Sequence, residues 1–250
     1  MLESQYINGE KMDEIKFINK NNVISNKYLN IENINWKKIK KQKIFAVLID
    51  LKTINKEKIK YNLKKLLKLK NRTIRKKYNL GINGIIFYIL NYEENNKLYE
   101  NIIYAIKAIS KENYKKMYTY IYDKVCDYLD SEFYGKNLCD FKNNKCGEKI
   151  NTKSEIGCCR HYKNKMFGPL LISNKFVQCE YLKNHRCCIK CLPCKLFTCD
   201  YLEKKGIKFK IKEIFLLDTF FNPLQKLTLK TCVYMPEEKI IKRLLIRRII

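Results

Sequence analysis

Glycine and proline are scarce in this chain, with eight and four in 250 residues. Neither G-x-x-x-x-G-K-[ST] nor G-x-G-x-x-G occurs, so the glycine-rich loops that cradle nucleotide phosphates are excluded. No charged segment followed by an apolar one opens the chain, and residues 1–35 are polar and mixed in charge, which argues against a signal peptide. Long apolar runs are missing too. The longest, Ile44–Ile49 and Ile85–Leu90, fall far short of a membrane span. A cytoplasmic, reducing location is the expectation, and there cysteines serve metals more often than disulfides. Histidine is nearly absent, with only His161 and His185.

Charge of one sign abounds. The formal net charge is +27. The richness in Lys, Asn, Ile and Tyr is that of AT-rich coding, so part of this excess carries no functional message. Its placement carries more. Residues 36–80 hold 17 Lys or Arg against Asp50 and Glu57 alone, a local net of +15. Nucleic acid is the partner such a stretch suggests, with Trp36 and Tyr61 available for stacking and Lys60, Lys64, Lys68, Arg72 and Arg75 for phosphate contacts. A solvated lysine-rich surface is the plainer alternative.

A hydrophobic fraction of 46% permits well-filled cores. Residues 1–35 lack periodicity and read as a loosely ordered arm. Lys43–Leu51 reads as a buried strand, and Asn55 as the N-cap of a helix with Ile59, Leu63, Leu66 and Leu67 on one face. After the turn at Asn79–Gly84, Ile85–Asn91 is open between two readings. As a strand it completes a β-α-β element; as a helix it resembles a helix-turn-helix around Gly81, although Lys77 stands where that family packs a small residue. Leu98, Ile102, Ile103 and Ile106 mark one further helix. Tyr118, Tyr122, Val125, Cys126, Leu129 and Phe133 mark another, closed by Gly135, with Cys126 as a core residue. A domain boundary is expected near 135, giving a 1–35 arm, a basic 36–135 domain and a 136–250 cysteine-rich module. Leu202–Leu217 reads as helix, and Asn222-Pro223 and Met235-Pro236-Glu237-Glu238 as helix starts. Ile240, Ile241, Leu244 and Leu245 give the last helix an apolar face, for the protein's own helices, a partner helix or a membrane surface through 236–250. The fold class expected is mainly α (α+β): a bundle-like C-terminal half with a loop-rich cysteine module, and a small β-α-β or helical N-terminal part.

Ten of the twelve cysteines lie between Cys139 and Cys199. They are Cys139, Cys146, Cys158, Cys159, Cys179, Cys187, Cys188, Cys191, Cys194 and Cys199, with both histidines among them; Cys232 reads as core. Unrelated buried cysteines would be dispersed through cores rather than crowded into polar loops. Thiolates this close in sequence suit a tetrahedral zinc, or an iron–sulfur cluster. A structural zinc contributes roughly 10–16 kcal/mol, so such a module unfolds without it. Cys188, Cys191 and Cys194 repeat the ferredoxin spacing, but Cys199 follows too late and lacks its proline. Cys187, Cys191 and Cys194 resemble the signature of radical S-adenosylmethionine enzymes. Pro193 departs from that pattern, and only 56 residues follow Cys194, too few for the barrel. No catalytic residue emerges, and an activity is not expected. The expected role is binding or regulation around a structural metal, with nucleic-acid binding and iron–sulfur redox sensing as alternatives.

Cys139-Asp140-Phe141 with Cys146, Gly157-Cys158-Cys159, Cys179-Glu180-Tyr181-Leu182, Cys187 and Cys194-Lys195-Leu196-Phe197-Thr198-Cys199 resemble uncharacterised cysteine-rich proteins of clostridia-like bacteria. Asn222–Lys226 and the helix at Pro236 are similar to their C-terminal ends, so the likeness covers roughly residues 112–245. The resemblance implies one ligand set of Cys179, Cys187, Cys194 and Cys199, with Cys188 and Cys191 extra. It marks residues 160–178 as an insertion and carries no known activity.

Overall fold

The computed structural model describes residues 14–17, 29–31, 44–70, 84–140, 160–167, 171–178, 182–183, 186–187 and 190–248. The chain is helix-dominated and divides into two compact units, Met1–Met117 and Tyr118–Ile250. Among the described residues no helix is long and apolar enough to cross a membrane.

The first unit is built on four parallel strands, β1 (Glu14–Phe17), β2 (Leu29–Asn30), β3 (Ile44–Asp50) and β4 (Gly84–Leu90), in the order β1-β4-β3-β2. β3 and β4 pair from Ile44↔Gly84 to Asp50↔Leu90. The chain passes between them through α1 (Lys56–Lys70), which settles the open reading of 85–91: it is the second strand of a β-α-β element, not a helix. β-branched and aromatic residues in a short run between turn signals favour this outcome. Val47, Ile49, Phe87 and Ile89 are fully buried on one face. Asn55 caps α1, accepting from the Glu57 and Lys58 amides at 3.1 and 3.0 Å. Ile59, Leu63 and Leu66 form its inner stripe, and α2 (Lys97–Ile109) packs beside it. Within 1–35, read as a loosely ordered arm, β1, β2 and the buried Ile31 are paired or packed, the Ile31 carbonyl accepting from Asn62 at 2.5 Å; the rest of that stretch lies outside the described residues. These strands are too short to carry a periodic signal; pairing with β3 and β4 holds them.

The second unit is arranged along α3 (Tyr114–Gly135), inside whose first turns the division between units falls. Gly135 ends it as expected, and Ile121, Tyr122, Val125, Cys126 and Leu129 are buried. Two hairpins follow, β5 (Arg160–Phe167) with β6 (Leu171–Gln178) and β7 (Leu182–Lys183) with β8 (Arg186–Cys187), so the segment marked as an insertion is a two-stranded ribbon. Then come α4 (Leu192–Leu196), α5 (Asp200–Lys204), α6 (Phe215–Phe220), α7 (Pro223–Thr231) and α8 (Glu237–Ile246). The continuous helix expected over 202–217 is therefore two short ones, interrupted where Gly206 takes a φ of +74°. Pro223 opens α7 behind an Asn222–Gln225 capping box. Gln225 also donates to the Tyr118 hydroxyl at 2.9 Å and the Leu244 carbonyl at 2.8 Å, joining α7 to α3 and α8. Ile240, Ile241 and Leu244 are buried inside this unit, so the apolar face of α8 is covered by the protein itself. Of the fates expected for this face, Ile240, Ile241 and Leu244 show packing against the protein itself, while Ile246 beyond them is exposed.

Candidate metal centre

Residues 190–195 lie along one face of α3. Tyr118, Tyr122, Cys126 and Asp130 follow one another at steps of four, which places them on a single helical stripe. The Tyr122 hydroxyl accepts the Leu192 amide at 2.7 Å, and burial pushes its phenol up, against that hydrogen bond. The Cys126 sulfur lies 4.0 Å from the Lys190 carbonyl, and burial likewise pushes its thiol up. It stays a neutral core thiol, as expected. Lys190 reaches Asp123 at 2.8 Å on the rim.

Lys195 enters the interior. Its side chain is 6% exposed and its ammonium is held by Asp130, with the Tyr134 ring 5.8 Å away. Burial works against the charge, but the Asp130 hydrogen bond and carboxylate outweigh it and raise the lysine above its usual range.

This stripe fixes the segment that carries the sulfur pair. Cys191 immediately precedes α4 and Cys194 lies within it, with Leu192 and Pro193 buried between them. The two sulfurs stand 3.1 Å apart. Cys191 is fully buried, whereas Cys194 is partly exposed. The loop between α7 and α8 closes over them. Tyr234 takes a left-handed backbone, φ +57°, a conformation that costs energy for a non-glycine residue. In it the Tyr234 amide donates to the Cys194 sulfur at 3.1 Å. The amides of Cys194, Tyr234 and Met235 also face the Cys191 sulfur. The hydrogen bond with Cys194, opposed by burial and aided by these amides, brings the Cys191 thiol down to about 6.

Two further cysteines flank a polar junction between the end of α3 and α5. Asp140 accepts from the Tyr201 hydroxyl, and from Lys205 at 2.8 Å. Cys139 precedes Asp140, and Cys199 stands at the start of α5, two residues before Tyr201, so both lie beside one junction. Cys232 is buried, as expected of a core residue, and accepts from Arg243 at 3.0 Å.

Of the cysteines expected to ligate, Cys139, Cys191, Cys194 and Cys199 are thus described. Cys146, Cys158, Cys159, Cys179 and Cys188 lie outside the described residues, as do His185, Arg72 and Arg75. Cys187 ends β8 and His161 lies in β5, but only their backbones are described. Among the described residues no three His, Cys, Asp or Glu side chains converge on one point. Two sulfurs do converge, and Cys191, extra in the set implied by the resemblance, is the one found beside Cys194. Tyr234 and Met235 complete that pair through their backbones, which their side-chain types do not signal.

On α1, Lys64 and Lys68 are exposed, Tyr61 is 57% exposed, and the Lys65 ammonium lies 4.3 Å from the Tyr61 ring centroid. Lys60 departs from the expected basic face. It is 7% exposed and its ammonium meets Glu57 at 3.1 Å, its position bordering the buried Ile59–Leu63 stripe.

No protein-family model matches the chain, and no curated protein or solved structure shows significant similarity to it.

Proposed function

We propose that this chain is a metal-binding protein in which zinc, held by cysteine thiolates, organises the module between Cys139 and Cys199 for a binding or regulatory role. The observation that carries this reading is the Cys191–Cys194 pair with its amide donors. Amide hydrogen bonds to sulfur favour the thiolate, which is the form that ligates. A zinc bound tetrahedrally at about 2.3 Å per sulfur holds two sulfurs roughly 3.8 Å apart. The pair at 3.1 Å reaches that spacing by a shift of a few tenths of an ångström per sulfur. The donor chemistry therefore fits. Cys191 and Cys194 would contribute two thiolates, and Cys139, Cys199 and the crowded cysteines before them supply candidates for the rest. When bound, zinc would cross-link the segments that carry these cysteines.

The test is to purify the full chain without oxygen, measure its metal content and record its visible spectrum. A colourless protein with stoichiometric zinc supports the reading. Brown colour with iron and sulfide would replace it by an iron–sulfur cluster on the same thiolates.

A second reading has its own observation, the outer face of α1. Exposed Tyr61 beside Lys64, Lys65 and Lys68 combines an aromatic surface with phosphate-binding cations, the pairing that sequence-tolerant single-strand binders use. Filter binding to DNA and RNA at two salt concentrations tests it, and no retention at low salt would end it.

A further inference from the structure

We propose that Cys194 is a site of oxidation by hydroperoxides, with Cys191 as the partner that resolves it into a disulfide, so that this half of the metal centre is a redox-labile dithiol. The inference rests on the proposed metal centre for its regulatory meaning, and on the pair's own geometry for its chemistry.

The sulfurs are 3.1 Å apart. That separation lies between the roughly 3.8 Å of two zinc-bound sulfurs and the roughly 2.0 Å of a disulfide. Short displacements lead to either state, and the two states exclude each other. The partners also differ in access. Cys191 is fully buried, and Cys194, within α4, is partly exposed. A small oxidant therefore meets Cys194 first, while Cys191 waits behind it within contact distance. The Tyr234 amide donates to the Cys194 sulfur at 3.1 Å and holds it in place beside Cys191. Cys126, the other described thiol along this segment, is fully buried beneath it and offers an oxidant no comparable path. Nothing needs to move from between the reacting sulfurs, since at 3.1 Å they are already in contact.

The chemistry balances as follows. The Cys194 thiolate attacks one oxygen of the hydroperoxide, the O–O bond breaks, and water or an alcohol leaves once protonated. Cys194 is then a sulfenic acid. The Cys191 thiolate attacks the Cys194 sulfur, the S–O bond breaks, and hydroxide leaves as water. The two thiols lose two electrons to the hydroperoxide, and the disulfide no longer offers thiolates to a metal. Dithiol reductants reverse the change by exchange.

The experiment uses the full chain, reduced and zinc-loaded, and the same protein stripped by a chelator. Each is treated with one equivalent of hydrogen peroxide. Zinc release is followed with a chromophoric indicator, and the oxidised cysteines are mapped by digestion and mass spectrometry. The expected result is one Cys191–Cys194 disulfide in both samples, with zinc lost from the loaded one in step with the disulfide and recovered after a dithiol. Disulfide formation in a protein that takes up no zinc would support the dithiol and sink the metal reading. Zinc uptake with Cys191 and Cys194 still reduced while other cysteines oxidise would overturn the dithiol and leave the metal reading standing. The Cys191→Ser variant adds a check, since Cys194 should then stop at the sulfenic acid and be trapped by dimedone. Should that variant not fold, the wild-type peptide map alone decides.

Discussion

The Tyr122 hydroxyl meets the Leu192 amide at 2.7 Å, in the interior of the second unit and at the residue between Cys191 and Pro193. A phenol from the middle of α3 thereby fixes the backbone of the segment that carries the sulfur pair. Tyr122→Phe keeps the ring and leaves the amide without its acceptor. Such a loss costs about 1–3 kcal/mol. Urea unfolding should show a lower midpoint with an unchanged slope, and zinc affinity should fall with it. An unchanged midpoint would mean that the hydroxyl is not holding the segment.

Lys195 and Asp130 make a sharper case. Removing Asp130 strands an ammonium whose side chain is 6% exposed. Asp130→Ala should destabilise by about 3 kcal/mol, the lower end for a broken buried pair, since Asp130 itself is partly exposed. Adding Lys195→Met removes the stranded charge at similar volume and should recover most of that loss. Equal midpoints for the single and double variants would contradict this burial.

The metal-free protein should have a stability maximum in pH. The Cys191 thiol titrates near 6 when folded, against 9.0 as its ordinary value. A depressed acid contributes stability that is present above its unfolded value and lost as pH falls toward the folded one. Burial raises Cys126 and Tyr122, so both stay neutral in the fold and oppose folding once their unfolded forms ionise. Urea midpoints in chelator and reductant should therefore rise from pH 6 to about pH 9 and fall beyond it. A flat profile from pH 6 to 9 would remove the thiolate from the account.

On α1, Lys64 and Lys68 should behave unlike Lys60. If the face binds nucleic acid, each exposed lysine changed to Ala weakens binding and lowers the salt slope by about one. Lys60→Ala should leave binding unchanged and reduce stability, because its ammonium already serves Glu57. Fluorescence anisotropy with a labelled oligonucleotide at several salt concentrations separates the two outcomes.

What the sequence made legible was local. Asn55, Pro223, Pro236 and Gly135 delimit helices through capping and backbone chemistry that a few residues contain, and they stand where that chemistry puts them. The stripe of α3 was legible by its period. β1 and β2 were not, since four and two residues carry no period, and parallel pairing with distant strands decides them. Nothing near Lys195 in sequence marks it as buried, because its counter-charge, Asp130, lies 65 residues away. The crowding of cysteines marked the segment, but the pairing of Cys191 with Cys194 under the Tyr234 amide depends on a backbone turn that arrives 40 residues later.

Zinc content, read together with the fold's response to losing it, tests the central claim most directly. Full-length protein purified without oxygen should carry stoichiometric zinc. Cys191→Ser and Cys194→Ser should each lose it to a chelator that the parent resists, with collapse of the module seen by hydrogen exchange. A parent protein that holds neither zinc nor iron, and whose exchange pattern is the same with and without chelator, would contradict the account.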